Sequence, residues 1–304
     1  MGLENVPRVV AEGRAAAAWK AGPFVLDFGP MTQNVSTARL TLNDGASIPQ
    51  VGLGVWQSGG ATKRAVVEAL QAGYRHIDTA AVYGNEAQVG AAIAEAGVPR
   101  DQLFVTSKLW NQDQGYDKAL KAFDLSLRRL KLEYLDLYLI HWPVSGLRLE
   151  SWRALEQLAG ERRVRSIGVS NFLVPHLSEL RQSAKILPAV NQIELTPFLQ
   201  RQETVTLCRE LGITLEAYSP LTRGQRLNHP VLTELAAAVQ RSSAQVLLRW
   251  GIQKGFVILP KSVQPERIAE NAALFDFELD DAAMRRLDAL EEGLVTGWNP
   301  ATQD

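Results

Sequence analysis

Three predicted strands of this chain end on polar residues that could transfer a proton together. The first strand ends at Asp78, and Tyr83 follows in the loop before a helix. The next two apolar runs stop at Lys108 and at His141. Because parallel strands direct their carboxyl ends to the same rim, we expect these four side chains to share one pocket. A carboxylate, a phenol, an ammonium and an imidazole in one pocket predict a proton-transfer site.

The residue types also suggest a chemical role for each of the four side chains. A tyrosine hydroxyl has a pKa of about 10, and a neighbouring ammonium lowers it toward a useful range. Lys108 would supply that charge, Asp78 would keep Lys108 charged and oriented, and neutral His141 would hold a substrate oxygen against Tyr83. The set suits carbonyl reduction, in which the oxygen gains a proton. It suits isomerisation through an enediol equally well.

An alternation of strands and helices would position these residues. Eight short apolar runs are predicted to be strands, at residues 51–54, 74–78, 104–108, 135–141, 164–169, 189–193, 214–218 and 256–259. Helical patterns occupy 61–72, 85–96, 116–130, 149–161, 174–183, 201–211, 230–254 as two helices, 264–273 and 280–290. The Asp-Gly turn near residue 44 predicts a β-hairpin ahead of the first strand.

Eight such units favour one α/β fold over another. We expect a (β/α)8 TIM barrel with an N-terminal β-hairpin and an extra C-terminal helix. An open doubly wound sheet would need a nucleotide fingerprint of the form Gly-x-Gly-x-x-Gly, but Gly52-Leu53-Gly54 continues as Val55-Trp56-Gln57. Residues 37–304 are predicted to form one barrel domain, and residues 1–36 a poorly ordered extension.

Composition excludes several classes of partner and site. The net charge is −1 and no basic block is present, which argues against nucleic acid. Cys208 is the only cysteine, and the four histidines lack ligand spacing, so we expect no disulfide and no metal. No run of about 18 apolar residues occurs, which argues against a membrane span. We expect a cytoplasmic monomer.

Three separated segments resemble the signatures of the aldo-keto reductase family. They are Gly73–Ala80 with Tyr83–Glu86, then Ser166–Phe172, then Ile258–Ser262 with Arg267, Glu270 and Asn271. The resemblance extends from about Leu40 to Asn299. A particular similarity to the prokaryotic 2,5-diketogluconate reductase branch lies in Leu42–Gly45 with Ile48-Pro49, in Gly54–Trp56 and in Val190–Glu194.

The resemblance implies a barrel that binds NADPH in extended form, with Tyr83 as general acid. It implies cofactor contacts from Gly54, Val55, Trp56, Asp78, Ser170, Asn171, Gln192, Tyr218, Ser219, Pro220, Leu221, Lys261, Ser262, Val263, Arg267, Glu270 and Asn271. Among these, Tyr218 would stack on the nicotinamide, while Lys261, Ser262 and Arg267 would favour NADPH over NADH by holding its 2′-phosphate. Substrate contacts are expected from Trp56, Tyr83, Trp110, Asn111, His141 and Trp142.

The function predicted from the sequence is NADPH-dependent reduction of small carbonyls such as keto-sugars or methylglyoxal. A non-catalytic NADPH-binding sensor is the alternative, and a barrel isomerase or lyase without nicotinamide is a third. The segment Val144–Leu147 and the tail Gly293–Pro300 are both short, which predicts a pocket that is open on that side.

Overall fold

A computed structural model of the chain describes residues 34–302. The predicted extension at residues 1–36 therefore lies almost entirely outside the described residues.

A β-hairpin opens the described part of the chain. Its strands β1 (Arg39–Thr41) and β2 (Ser47–Pro49) pair antiparallel, with Leu40 opposite Ile48. Gly45 has a φ of 84° in the connecting turn, a conformation that glycine adopts without steric cost. Leu42 and Ile48 pack in one apolar cluster with residues from the barrel strands, such as Phe104. The predicted hairpin is confirmed, and it covers the amino end of the barrel.

Eight parallel strands follow in chain order. They are β3 (Gly52–Gly54), β4 (His76–Asp78), β5 (Phe104–Leu109), β6 (Leu135–Ile140), β7 (Val164–Ser170), β8 (Val190–Glu194), β9 (Thr214–Tyr218) and β10 (Val257–Leu259). Each strand pairs with its sequence neighbour. The ring closes where Val51 bridges Ile258, and where Gly54 N donates to Pro260 O at 3.1 Å. The barrel predicted from the strand count is confirmed.

Ten α-helices connect or follow the strands within the described residues. They are α1 (Thr62–Gln71), α2 (Glu86–Ala96), α3 (Tyr116–Leu130), α4 (Arg148–Gly160), α5 (Val174–Ser183), α6 (Gln202–Glu210), α7 (Pro230–Ala238), α8 (Ser243–Gln253), α9 (Pro265–Ala272) and α10 (Asp281–Asp288). The division between α7 and α8 occurs at Ser242, whose hydroxyl accepts from Gln245 N while Gln245 Oε1 accepts from Ser242 N. This reciprocal capping box begins α8 as a separate helix.

The main apolar core lies between the helices and the outer faces of the strands, where residues such as Trp152, Val169 and Trp250 are buried. The barrel interior is different toward its carboxyl end, because it contains polar side chains. Lys108, Gln192 and Glu216 are all at most 2% exposed there. No helix among residues 34–302 combines the length and apolar character that a membrane span requires.

Candidate active site

The four residues expected to transfer a proton lie together at the carboxyl end of the barrel. Asp78 is the last residue of β4, and Lys108 is the next-to-last residue of β5. His141 directly follows β6, and Tyr83 ends a short 3₁₀ turn between β4 and α2. Neighbouring strands deliver the first three, so the chain order alone brings them together.

Lys108 and Asp78 form a buried ion pair. Lys108 Nζ lies 2.6 Å from Asp78 Oδ1 and also donates to Thr79 O at 2.9 Å. Burial by itself would lower the pKa of Lys108, but the charges of Asp78 and Tyr83 raise it above its ordinary value. The lysine therefore stays charged, as expected from its pairing with Asp78.

Tyr83 lies over this pair and faces His141. Lys108 Nζ is 5.1 Å from the centroid of the Tyr83 ring, and the Tyr83 and His141 rings meet edge to face at 5.7 Å. Burial raises the pKa of Tyr83, and the opposing effect of Lys108 is smaller. The sequence-based expectation of a lowered pKa is thus wrong for the net direction, although Lys108 acts as expected. Tyr83 therefore keeps its proton at neutral pH.

His141 is neutral in these surroundings. Burial, assisted by the charge of Lys108, holds the pKa of His141 well below its ordinary value. Its Nδ1 is buried and has no hydrogen-bond partner among the described residues. A hydrogen on Nδ1 would be a buried donor without an acceptor, so the favoured tautomer carries its hydrogen on Nε2. His141 lines the cleft in that form and can donate to a ligand oxygen.

A cleft of about 710 Å³ opens above these residues. Four tryptophans line it, namely Trp56, Trp110, Trp142 and Trp298. The first three were predicted, whereas Trp298 was not. Its ring lies 5.7 Å from that of Trp142 and 6.4 Å from that of Trp110. The short tail therefore supplies an aromatic wall on the side that was expected to be open.

Several contacts fix the tail at the cleft. Leu294 N donates to Phe198 O at 2.9 Å, and Thr296 N donates to Glu194 Oε1 at 3.0 Å. At Gly297 a Cβ atom would come within 2.6 Å of Arg223 Nη2, so a larger residue would displace that guanidinium. The guanidinium of Arg223 in turn lies 4.5 Å from the centroid of the Trp56 ring. Arg223 thus links the tail to the opposite wall.

Sequence reasoning missed six residues that line the cleft. These are Gln57, Val82, Arg223, Leu259, Gly297 and Trp298. The first two adjoin predicted site residues, and Leu259 lies inside the third signature, so adjacency could have indicated them. Arg223 lies two residues after the predicted Leu221, so adjacency could have indicated it as well. Gly297 and Trp298 reach the cleft through tertiary contacts of the tail.

A cluster of acceptors occupies one side of the cleft. Asn171 Nδ2 donates to His141 O at 3.0 Å and to Ser170 Oγ at 3.1 Å, and Tyr218 OH donates to Asn171 Oδ1 at 2.9 Å. Ser170 Oγ donates to Gln192 O at 2.9 Å. Gln192 Nε2 donates to Asp78 Oδ2 at 2.9 Å and to Glu216 Oε2 at 2.6 Å, and no described residue donates to Gln192 Oε1. The polar hydrogens of the Ser170, Asn171 and Gln192 side chains thus all donate within the protein. Lone pairs on their side-chain oxygens remain, and these suit an N–H donor such as a carboxamide.

Most of the predicted cofactor residues line this cleft, and the others lie outside it. Lining residues are Gly54, Trp56, Asp78, Ser170, Asn171, Gln192, Tyr218, Ser219, Pro220, Leu221 and Lys261. Ser262, Val263, Arg267, Glu270 and Asn271 continue from Lys261 through the β10–α9 loop into α9. Val55 and Asn111 adjoin the cleft in sequence but do not line it.

Lys261 and Arg267 are exposed cations that make no hydrogen bond or ion pair within residues 34–302. Two free cations, of which Lys261 lines the cleft, can receive a phosphate. The described residues contain no group of three histidine, cysteine, aspartate or glutamate side chains arranged for a metal ion.

Residues 50–292 match the aldo/keto reductase family. The chain belongs to this family. An aldo-keto reductase of Mycolicibacterium smegmatis is 54% identical over 267 residues, which are 87% of this chain and 97% of the relative. Glyoxal reductase of Bacillus subtilis is 50% identical over 261 residues, which are 85% of this chain and 95% of that enzyme.

Solved structures of the family have the same fold. MGS-M4, an aldo-keto reductase from a Medee basin deep-sea metagenome library, gives a TM-score of 0.85 at 43% identity and covers 87% of this chain and 99% of its own. An aldo-keto reductase of Bombyx mori in complex with NADP gives 0.83 at 38% identity, covering 88% and 96%. The resemblance seen in the three signatures is confirmed at the level of the aldo/keto reductase family, and the 2,5-diketogluconate reductase branch stays a prediction.

Proposed function

We propose that this aldo/keto reductase uses NADPH to reduce aldehydes and ketones to alcohols, with Tyr83 as the proton donor. The observation that carries the proposal is the contact of Tyr83 with the buried Lys108–Asp78 pair on one side and with neutral His141 on the other. This arrangement supplies a proton and a positive charge at one point of an aromatic cleft.

Each residue has a definable role in the reaction. A carbonyl oxygen between Tyr83 and His141 accepts hydrogen bonds from the Tyr83 hydroxyl and from His141 Nε2–H. Nicotinamide, when bound, supplies a hydride to the carbonyl carbon. The Tyr83 hydroxyl gives its proton to the oxygen, on which negative charge develops. Lys108 stabilises the resulting phenolate, and Asp78 holds Lys108 in position.

The residues present fit a nicotinamide cofactor in two respects. Acceptor positions remain at Ser170, Asn171 and Gln192, and they suit the amide hydrogens of a carboxamide. Lys261 lines the cleft and Arg267 follows in α9, and both are cations unpaired among the described residues that suit a phosphate on the ribose. The first feature fits the nicotinamide of either cofactor, and the second supports NADPH over NADH.

The lining of the cleft supports small carbonyl substrates of varied shape. Four indole rings offer flat apolar surfaces that do not demand one outline, and few charged groups lie among them. A relative at 50% identity, the glyoxal reductase of Bacillus subtilis, is named for a small carbonyl substrate. We include keto-sugars, methylglyoxal and similar carbonyls in this class.

The proposal is tested by following NADPH absorbance with a panel of 2,5-diketogluconate, methylglyoxal and an aromatic aldehyde, with NADH in parallel. We expect oxidation of NADPH with at least one carbonyl and much slower oxidation of NADH. Tight binding of NADPH with no turnover on any carbonyl would contradict a reductase and favour the sensor alternative. Failure to bind NADPH at all would favour the isomerase alternative.

A further inference from the structure

A second carboxyl group lies inside the barrel next to the proton-transfer site, and the roles given above do not use it. Glu216 is in the middle of β9 and is completely buried. Its Oε2 accepts from Gln192 Nε2 at 2.6 Å. Its Oε1 has no hydrogen-bond partner among the described residues, although His76 Nε2 lies 3.6 Å away.

Gln192 joins this carboxyl to the catalytic pair. The two amide hydrogens of Gln192 point to Asp78 Oδ2, at 2.9 Å, and to Glu216 Oε2, at 2.6 Å. Two carboxyl acceptors on one side fix the orientation of the amide, because its oxygen would be repelled there. The side-chain amide oxygen of Gln192, Oε1, is consequently held toward the cleft that Gln192 lines.

The geometry favours a neutral Glu216. An ionised carboxylate would bury a charged oxygen, Oε1, without a donor, and it would place a second negative charge against Asp78. With Glu216 protonated, the charges of Asp78 and Lys108 cancel within the cluster. Burial, followed by the charge of Asp78, raises the pKa of Glu216 to about 8.

We propose that Glu216 is a positioning residue for the reduction: in its neutral form it orients Gln192 and leaves Tyr83 able to donate its proton, and its ionisation weakens that donation. The proposal rests on the proposed reductase function. The charge of ionised Glu216 raises the pKa of Tyr83, which makes the phenol a poorer acid. Turnover is thus expected to fall as Glu216 loses its proton.

Three titratable groups that face Glu216, namely His76, Lys108 and Tyr83, have pKa values shifted away from neutral pH. From β4, burial lowers the pKa of His76 to about 3. The pKa of Lys108, from β5, and that of Tyr83, from the β4–α2 loop, are both raised above their ordinary values. The neighbour on β10, Val257, is apolar. On the remaining adjacent strand β8, Gln192 does not titrate. Asp78 is the other carboxyl that faces Glu216.

The first test compares pH profiles of turnover. For the wild type we expect kcat to fall roughly tenfold between about pH 7 and about pH 9, the change that ionisation of one essential neutral group with a pKa of about 8 produces. Glu216→Gln keeps an acceptor for Gln192 but cannot ionise, so its kcat is expected to change by less than about twofold over the same range. Identical profiles for the two proteins would overturn the proposal.

Glu86→Gln is the matched control. Glu86 is also a buried carboxyl, at 1% exposure, and it accepts from Ser107 Oγ at 2.7 Å outside the cluster. We expect its pH profile to follow the wild type. If kcat of Glu86→Gln also failed to fall at basic pH, the effect would not be specific to Glu216. The assignment to Glu216 would then be wrong.

The second test needs neither cofactor nor turnover. Infrared spectroscopy of the wild-type protein at about pH 7 is expected to show the C=O band of a protonated carboxylic acid, with loss of the band centred near pH 8. The band is expected to be absent from Glu216→Gln. A wild type without such a band would overturn the proposal even if that variant did not fold. Absence of carbonyl turnover in a wild type that shows the band would instead refute the reductase function.

Discussion

The Lys108–Asp78 pair offers the most quantitative prediction, because both charges are buried and close. Their atoms are 2.6 Å apart, with side-chain exposures of 0% and 4%. In Asp78→Asn the ammonium of Lys108 keeps the Thr79 carbonyl but loses its counter-charge. Breaking a buried pair costs about 3 kcal/mol or more, which for a domain of this size corresponds to a fall in Tm of roughly 6 °C.

Lys108→Met is expected to cost a similar amount, since it leaves the Asp78 carboxylate with Gln192 as its remaining side-chain donor. The double variant removes both charges and should recover part of the loss. A double-mutant cycle measured by urea unfolding should give a coupling energy of about 2 kcal/mol. Activity is expected to be lost in all three variants, so stability and chemistry are measured separately.

The surface pair Lys63–Glu95 is the control for this cycle. Its atoms are 2.5 Å apart, but the side chains are 48% and 53% exposed. Water screens such a pair, so its coupling energy should be about 0.5 kcal/mol or less. A coupling energy for Lys108–Asp78 no larger than this would refute the argument that burial gives the catalytic pair its strength.

Four further predictions follow from the site. Tyr83→Phe should remove most carbonyl turnover while the Kd for NADPH changes less than about twofold; wild-type turnover would contradict the proton-donor role. Arg267→Ala should weaken NADPH roughly tenfold, about 1.4 kcal/mol, and NADH hardly at all, whereas equal weakening in a fluorescence titration would contradict phosphate recognition. Trp298→Ala should raise KM for the carbonyl about threefold through loss of aromatic contact, with Ile186→Ala, at an exposed site outside the cleft, as the unaffected comparison. Because the folded-state pKa of Glu216, about 8, exceeds its ordinary value of 4.5, the wild type should lose stability relative to Glu216→Gln as pH rises between these values; parallel urea-unfolding curves would refute that linkage.

The sequence was sufficient to predict the barrel and to predict that its four polar residues lie close together. Parallel strands covered on both faces are continuously apolar, so their number and order could be read locally. Asp78, Lys108 and His141 stand at the ends of three consecutive strands, and pairing of neighbours in a barrel brings such ends together. The domain boundaries and the roles of the site residues stay predictions.

Only the tertiary structure decided the features that depend on contacts between distant segments. Trp298 has no periodic pattern around it. It reaches Trp142 because hydrogen bonds from the tail to the Phe198 carbonyl and to the Glu194 carboxylate fix the tail. The net direction of the Tyr83 pKa shift also depends on contacts between distant segments. A neighbouring lysine can be inferred from strand order, but the cost of desolvation depends on everything that surrounds the phenol, and here it is the larger effect.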